Sequence, residues 1–210
     1  MSAPGAAAGA IEAVVFDMDG VLIDSEHLWD EVREDLARAT GASYGPEAQR
    51  AMMGMSSPEW SAYMEQLGVP GPPAAINAEV VRRLQEHYRA ALPLIPGATD
   101  AVRRMHAAGF RLAVASSSNR ELIDLVLEAS GLAPLFAASV SSEEVARGKP
   151  SPDVYLEACR RIGVEPARAA AVEDSHAGIR SARAAGLRVL AIPNAVYPPG
   201  PEALALAHLV

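Results

Sequence analysis

Two pairs of acidic residues, each at the end of a short apolar stretch, are the residues best placed to do chemistry in this sequence. Asp17 and Asp19 follow one stretch, and Glu173 and Asp174 follow another. Carboxylates at such positions are costly to bury unless a partner compensates them. If both stretches are strands of one parallel sheet, the four carboxylates meet at one edge and repel one another. A divalent cation would remove this repulsion, and a ligand set made only of hard oxygens favours Mg²⁺.

Each acidic pair taken alone has a simpler interpretation. The first could be a solvated turn, although a calcium-binding EF-hand loop is excluded because Val21 and Leu28 occupy two of its ligand positions. Glu173 and Asp174 precede Ser175 and could simply begin a helix, since acidic residues are favoured there. The interpretation as one metal site therefore depends on the two pairs meeting in space.

A serine-rich segment and one lysine indicate that the same edge binds an anion. Ser116 and Ser117 follow an apolar stretch and precede a predicted helix, so hydroxyls and free backbone N–H groups are available there. Lys149 can supply a positive charge. A nucleotide-binding P-loop is excluded, because Glu143 stands where its first glycine is required and Pro150 where its Ser or Thr is required. A plain helix cap and a solvated lysine remain the alternatives.

The elements that must position these residues follow from the hydrophobic pattern. Short apolar stretches alternate with helical patterns that mostly close on glycine, which is typical of βαβ units and a parallel sheet. The predicted strands are 13–16, 112–115, 137–140, 169–172 and 189–192, and the helices between them are 100–108, 120–130, 152–162 and 176–185. We therefore predict an α/β fold with a Rossmann-like parallel sheet.

One region contains helical patterns only and interrupts this alternation. The predicted helices there are 26–40, 47–53, 58–67 and 77–92, with Ser57 as the N-cap of the third. The insertion leaves just after the first strand, so it is expected to cover the site as a cap. The predicted organisation is a disordered leader at 1–10, a core domain at 11–24 and 93–210, and a helical cap domain at 25–92.

The composition limits the kinds of partner that the protein can bind. Its 210 residues are 50% hydrophobic and 21% charged, and the formal net charge is −8. Nucleic acids and acidic membranes are excluded as partners, because no cluster of Lys and Arg is present to neutralise phosphates. No apolar stretch reaches the length of a membrane span or a signal peptide, and the single cysteine, Cys159, is expected in the core. We expect a cytoplasmic monomer that binds a small phosphorylated metabolite.

Taken together and in this order, four segments resemble the motifs of the haloacid dehalogenase superfamily. They are 17–26, Ser116, 148–150 and 173–179. The resemblance is to the subgroup that contains β-phosphoglucomutase and sugar-phosphate phosphatases such as 2-deoxyglucose-6-phosphate phosphatase. It implies a core sheet with the first strand in the centre, between the strands that carry Ser116 and the second acidic pair.

The resemblance also implies a mechanism. Asp17 would attack phosphorus and become an aspartyl-phosphate, and Asp19 would act as general acid and base. Ser116, Ser117 and Lys149 would hold the remaining phosphoryl oxygens. The implied activity is that of a phosphoric monoester hydrolase.

The metal set implied by the resemblance uses both acidic pairs. Mg²⁺ would be bound by the side chain of Asp17, the backbone carbonyl of Asp19 and the side chain of Asp174. Glu173 would help directly or through water. The Asp17 carboxylate would therefore both bind the metal ion and attack phosphorus.

Several departures from the mutase pattern favour hydrolysis. Ser57 stands where the mutases carry an arginine for a second phosphate, and Leu84 aligns with a mutase lysine, although Arg82 or Arg83 could substitute. The expected function is a Mg²⁺-dependent phosphatase acting on a sugar or polyol phosphate. The alternatives are a phosphosugar mutase and a catalytically silent scaffold.

Residues near the cap hinge are expected to select the substrate. The candidates are Glu26, His27, Met55 and Trp60. Methionine and tryptophan at helical spacing are more often core residues, so these positions carry less weight than the motif residues.

Overall fold

The computed structural model describes residues 10–52, 55–194 and 197–210, and its centre is a sheet of five parallel strands. The strands are β1 (Ala13–Phe16), β2 (Arg111–Ser116), β3 (Ala138–Ser141), β4 (Ala169–Glu173) and β5 (Arg188–Ala191). Their order across the sheet is β3-β2-β1-β4-β5. The α/β fold with a central first strand is therefore confirmed, and each strand lies within one residue of its prediction at either end.

Helices flank this sheet and also form a continuous helical segment between β1 and β2. They are α1 (Glu26–Thr40), α2 (Pro46–Met52), α3 (Ser57–Gln66), α4 (Pro73–Ala90), α5 (Ala98–Ala107), α6 (Arg120–Ala129), α7 (Asp153–Ile162), α8 (His176–Ala184) and α9 (Pro201–Leu204). We use "the helical segment" for α1 to α4. Within the parts of the chain that the structure describes, none of the helices combines the length and the hydropathy needed to cross a bilayer. The predicted leader up to residue 9, and residue 53 of the second predicted helix, lie outside the described residues.

Two helix starts differ from the prediction for the same reason, which is the placement of proline. Ser56, not Ser57, is the N-cap of α3, and Glu59 accepts hydrogen bonds from the Ser56 backbone N–H at 2.7 Å and from its hydroxyl at 2.6 Å. Pro58 therefore lies one position further into the first turn than expected. Similarly, α4 begins at Pro73, several residues before the predicted start. Proline is favoured in the first turn of a helix, where a backbone N–H would have no partner within the helix. Each of these helices therefore begins at its proline or one residue before it.

The sheet is buried on both faces, as continuous apolar strands require. Val15 of β1 packs in a cluster with Tyr155 and Cys159 of α7, which confirms that the thiol is buried. Val14 and Phe16 point to the opposite face, into a second cluster that continues into the helical segment. The helical segment therefore shares a hydrophobic core with one face of the sheet.

The two chain crossings between core and helical segment run side by side near the end of β1. The Asp24 backbone N–H donates to the carbonyl of Pro93 at 2.8 Å, and the Ile95 N–H donates to that of Leu22 at 3.0 Å. On the far side of the site, the buried Ser57 hydroxyl donates to Asn119 Oδ1 at 3.1 Å. The helical segment is thus held over the carboxyl edge of the sheet.

Candidate active site

Three buried carboxylates meet at the carboxyl edge of the sheet. The adjacent strands β1 and β4 pair Phe16 with Val172, so the residues that follow lie side by side. One oxygen from each of Asp17, Glu173 and Asp174 lies within 4.8 Å of the others, and all three side chains are buried. The two acidic pairs therefore meet as the sequence predicts, although the side chain of Asp19 stands outside this group.

The buried ammonium group of Lys149 partly neutralises these carboxylates. Its Nζ lies 3.0 Å from Asp17 Oδ1 and 2.7 Å from Glu173 Oε1. Burial acts to lower the pKa of Lys149, but the Asp17 and Glu173 carboxylates outweigh it, and the pKa is raised above its ordinary value. Lys149 is therefore charged at every physiological pH, and it touches the predicted nucleophile directly.

One lysine does not balance three acids, and the pKa values show the excess negative charge. Burial raises the pKa of Asp17 well above its ordinary value; Lys149 opposes this, and the neighbouring carboxylates add to it. Burial and Glu173 raise the pKa of Asp174 to about 8, with Asn194 acting in the opposite direction. A further positive charge would stabilise the ionised form of both residues.

Both oxygens of Glu173 are already occupied by protein donors. Oε1 accepts from Lys149 Nζ at 2.7 Å and from the Tyr155 hydroxyl at 2.7 Å. Oε2 accepts from the backbone N–H groups of Asp174 at 3.1 Å and Ser175 at 3.2 Å, and from the Ser175 hydroxyl. These contacts position Lys149 and the start of α8, and the same carboxylate lies close enough to Asp17 and Asp174 to share a metal ion with them.

The carboxylate of Asp19 is surrounded by hydroxyl and indole groups. Oδ1 accepts from the Ser25 hydroxyl at 2.5 Å and from Trp29 Nε1 at 3.4 Å. Oδ2 accepts from the hydroxyls of Ser118 at 2.7 Å and Ser116 at 3.4 Å. Sequence reasoning missed Ser25, Trp29 and Ser118 as partners of Asp19, because the first two lie at the start of α1 and the third follows β2.

Glycine is required at position 20 because the loops that follow β1 and β4 approach each other closely there. Its φ is +74°, and a Cβ atom there would stand 1.8 Å from Asp174 Oδ2. No side chain fits in that space. The turn after β1 can therefore contact the turn after β4 only with glycine at this position.

The predicted anion-binding serines lie on the turn after β2. Ser116 is fully buried, and its hydroxyl accepts from the Ser118 backbone N–H at 3.0 Å. Ser117 lines the same cavity as Lys149 and Asp17. The structure thus brings the predicted phosphate-binding residues and the acidic cluster together.

A cavity of about 430 Å³ lies between the sheet edge and the helical segment, and Asp17, Asp19, Ser117, Lys149 and Asp174 line it on the sheet side. Of the substrate-selecting candidates, Glu26, Met55 and Trp60 line it, but His27 does not. His27 is exposed and lines a neighbouring surface depression. Successive helix residues are about 100° apart, so α1 can turn Glu26 towards the site only by turning His27 away.

Glu26 is an acid of the helical segment whose environment disfavours its charged form. Burial raises its pKa to about 7, and the nearby Asp19 carboxylate adds to this effect. Arg33 acts in the opposite direction. Glu26 therefore changes its charge close to neutral pH.

Arg33, which sequence reasoning missed, is the cation that the helical segment contributes to this cavity. Its guanidinium carbon lies 4.8 Å from the ring centroid of Trp29 and 4.7 Å from that of Trp60. The suggested substitutes are not there: Arg82 and Arg83 form ion pairs with Glu79 and line a separate depression. The helical spacing of 26, 29, 30 and 33 places all four residues on one face of α1, and this signal could have identified Arg33.

Comparisons with known proteins agree with this geometry. The family described as haloacid dehalogenase-like hydrolase matches residues 11–186. The chain is 33% identical to the protein CbbY of Rhodobacter capsulatus over 88% of this chain and 86% of CbbY. It is 32% identical to hexitol phosphatase B of Escherichia coli (strain K12), over 87% of this chain and 84% of that protein. The crystal structure of CbbY from Rhodobacter sphaeroides in complex with phosphate superposes with a TM-score of 0.81 at 31% identity, covering 89% of this chain and 88% of that one.

Proposed function

Because this chain belongs to the haloacid dehalogenase-like hydrolases, we propose that it is a magnesium-dependent phosphatase that hydrolyses a sugar or polyol phosphate through an aspartyl-phosphate on Asp17. The observation that carries the proposal is the contact between Asp17 and Lys149 at 3.0 Å inside a buried acidic cluster. The similarity to hexitol phosphatase B supports a phosphorylated carbohydrate as the substrate.

The acidic cluster fits a divalent metal ion. All its donor atoms are carboxylate oxygens, which suit Mg²⁺. The raised pKa values of Asp17 and Asp174 indicate that a second positive charge is needed beside Lys149. Asp17, Asp174 and the backbone carbonyl of Asp19 would hold the ion, with Glu173 behind them anchoring Lys149. When bound, Mg²⁺ neutralises charge on the phosphoryl group that is transferred.

Asp17 and Asp19 divide the reaction into two displacements. In the first, a carboxylate oxygen of Asp17 forms a bond to phosphorus while the bond from phosphorus to the sugar oxygen breaks, and Asp19 gives its proton to that oxygen. In the second, water attacks the phosphorus of the aspartyl-phosphate; Asp19 takes a proton from this water, and the Asp17 carboxylate is released. The hydroxyls of Ser25 and Ser118 can each donate or accept, so they suit both protonation states of Asp19.

Lys149 and the turn after β2 hold the phosphoryl oxygens during both steps. Lys149 contributes a fixed positive charge, and its position is set by Glu173. The Ser116 hydroxyl, which accepts from the Ser118 backbone N–H and can donate its own proton, would act there together with the backbone N–H of Ser117. These groups are in place before substrate arrives, which is the arrangement that stabilises developing charge most effectively.

The test is phosphate release from p-nitrophenyl phosphate and from a panel of sugar and polyol phosphates, with Mg²⁺ and with EDTA. We expect release that requires the metal and is lost in Asp17→Asn. Asp24→Asn is the matched control, because Asp24 is an exposed acid near the end of the same loop. Formation of an isomerised sugar phosphate with little free phosphate would instead identify a phosphosugar mutase. No reaction with any of the compounds would identify a catalytically silent scaffold.

A further inference from the structure

We infer that Arg33 binds a second anionic group of the substrate, at the opposite end from the phosphate that Asp17 attacks. This inference rests on the proposed function and narrows its substrate class. The substrate would be a sugar or polyol phosphate that also carries a carboxylate or a second phosphate. Four features of Arg33 support this assignment.

The first feature is that Arg33 is buried without a direct ion pair to any described residue, although the Glu26, Asp30 and Asp19 carboxylates are near enough to act on its pKa. It is 8% exposed, and its Nε has no hydrogen-bond partner among the described residues. A buried guanidinium without an anionic partner is costly. Burial accordingly lowers the pKa of Arg33 below its ordinary value. The fold therefore holds on the wall of the cavity a guanidinium that has no direct ion pair among the described residues, and an anionic ligand would supply one.

The second feature is that the guanidinium group is fixed in place. It lies against the rings of both Trp29 and Trp60, which are themselves in edge-to-face contact with centroids 5.9 Å apart. Such contacts offset part of the cost of burial and hold the planar group still. Trp29 also donates to Asp19 at 3.4 Å. The position of Arg33 is thus tied to the general acid of the proposed reaction.

The third feature is that the neighbouring acids leave Arg33 available. Glu26 and Asp30 lie on the same face of α1, and Asp19 and Tyr44 also face Arg33 from other elements. Asp30 accepts a hydrogen bond from the Tyr197 hydroxyl at 3.1 Å. Within the described residues, none of these acids forms an ion pair with Arg33. Its fork of N–H donors is therefore free to bind both oxygens of a carboxylate or phosphate.

The fourth feature is that Arg33 and Lys149 line the same cavity. Its volume of about 430 Å³ lies within the range of about 300–1,000 Å³ that is usual for small-molecule sites. Lys149 contacts Asp17 at one end, and Arg33 belongs to the helical segment that covers the other. A ligand with an anionic group at each end would engage both cations.

Three compounds that share one 6-phosphate ester test the inference. Glucose 6-phosphate has an uncharged far end, 6-phosphogluconate has a carboxylate there, and glucose 1,6-bisphosphate has a phosphate. We expect wild-type kcat/KM for at least one charged compound to exceed that for glucose 6-phosphate by about 10- to 100-fold, the usual effect of one or two charge-assisted hydrogen bonds. In Arg33→Gln this preference should fall to less than about threefold.

Two further variants separate recognition from structural effects. Arg33→Lys keeps the charge but not the fork, so it should retain an intermediate preference. Arg82→Gln removes an exposed arginine of the same helical segment, and it should keep the wild-type preference. Thermal unfolding of each variant shows whether it is folded.

The possible outcomes are distinct. Equal kcat/KM values of the wild type for all three compounds, or an unchanged preference in Arg33→Gln, would overturn the inference while the phosphatase itself stands. If Arg33→Gln does not fold, the wild-type preference and Arg33→Lys still decide the matter. Absence of phosphate release from every compound, including p-nitrophenyl phosphate, would refute the proposed function instead.

Discussion

Replacing Lys149 tests how the acidic cluster is stabilised. The variant Lys149→Met keeps most of the side-chain volume but removes the charge that contacts Asp17 and Glu173. The cluster then holds three buried carboxylates without a protein cation beside them. Glu173→Gln removes the other charge of the closest pair, and the double variant removes both.

The magnitudes follow from the geometry. At an Nζ–Oε1 distance of 2.7 Å, the attraction between Lys149 and Glu173 is about 6 kcal/mol for an effective dielectric constant near 20. Desolvation of both groups offsets most of this attraction, yet removing one partner of a buried pair typically costs about 3–5 kcal/mol. We expect Lys149→Met to cost about 4 kcal/mol and Glu173→Gln about 3 kcal/mol, because Lys149 keeps Asp17 as a partner. The double variant should be no less stable than Lys149→Met.

The assay is urea unfolding at pH 7.5 in EDTA, repeated in saturating Mg²⁺. The metal should stabilise Lys149→Met more than the wild type, since a bound cation replaces part of the lost charge. Arg147→Met is the control: Arg147 lies two residues away, but its ion pair with Asp153 is on the surface, so its loss should cost less than about 1 kcal/mol.

The result that would refute this reasoning is additivity. If the costs of Lys149→Met and Glu173→Gln simply add in the double variant, the two side chains do not depend on each other, and Glu173 does not position Lys149. A cost for Lys149→Met within about 1 kcal/mol of the control would likewise show that the acids are compensated in another way.

Three other perturbations have defined outcomes. The pKa of Glu26 is raised from 4.5 to about 7, so its ionisation destabilises the fold progressively as pH rises from about 4.5 to 7. Glu26→Gln should therefore stabilise the EDTA-treated protein by about 2–3 kcal/mol at pH 8 and by much less at pH 5. Chemical unfolding at both pH values measures this difference. Gly20→Ala should lower the free energy of unfolding by about 1–3 kcal/mol through backbone strain. It should also abolish Mg²⁺-dependent phosphate release, because the added Cβ would displace Asp174. A wild-type kcat would contradict the close approach of the two loops. Asp19→Asn should lower kcat for sugar phosphates at least about tenfold more than for p-nitrophenyl phosphate, because only a sugar leaving group needs a proton on its oxygen. An equal loss for both substrates would exclude Asp19 as the general acid.

The sequence predicts the sheet and the motif residues because their signals are local. A buried parallel strand is a short apolar run, and the residue after it lies at the carboxyl edge, so the meeting of Asp17 with Asp174 follows once β1 and β4 are neighbours. The family resemblance supplies the order of the strands. Lys149 was predicted from its charge and from the resemblance, although its dependence on Glu173 was not.

The parts that could not be predicted depend on the rotation of helices and on loops that converge. The spacing along α1 indicates the face on which Arg33 lies, but the burial of its guanidinium beside Val32 and Leu36 is unexpected for an arginine and depends on packing. His27 was selected for its chemistry, but its position on the helix turns it towards solvent. Of the three missed partners of Asp19, Ser25 and Trp29 lie at the start of α1 and Ser118 follows β2, so only the packing of the helical segment on the sheet brings them together.

Polar contacts on two opposite sides join the helical segment to the core, beyond the paired chain crossings near Asp24 and Pro93. On one side Ser57 donates to Asn119, and on the other the Tyr197 hydroxyl donates to Asp30. Each of these hydrogen bonds contributes about 0.5–1.5 kcal/mol, and they add to the hydrogen bonds from Ser25 and Trp29 to Asp19 and to the hydrophobic core that the helical segment shares with the sheet. Opening the cavity about those crossings would therefore have to separate apolar surface as well as polar contacts, whereas the charges of Asp17, Glu173 and Lys149 all lie on the sheet side of the opening.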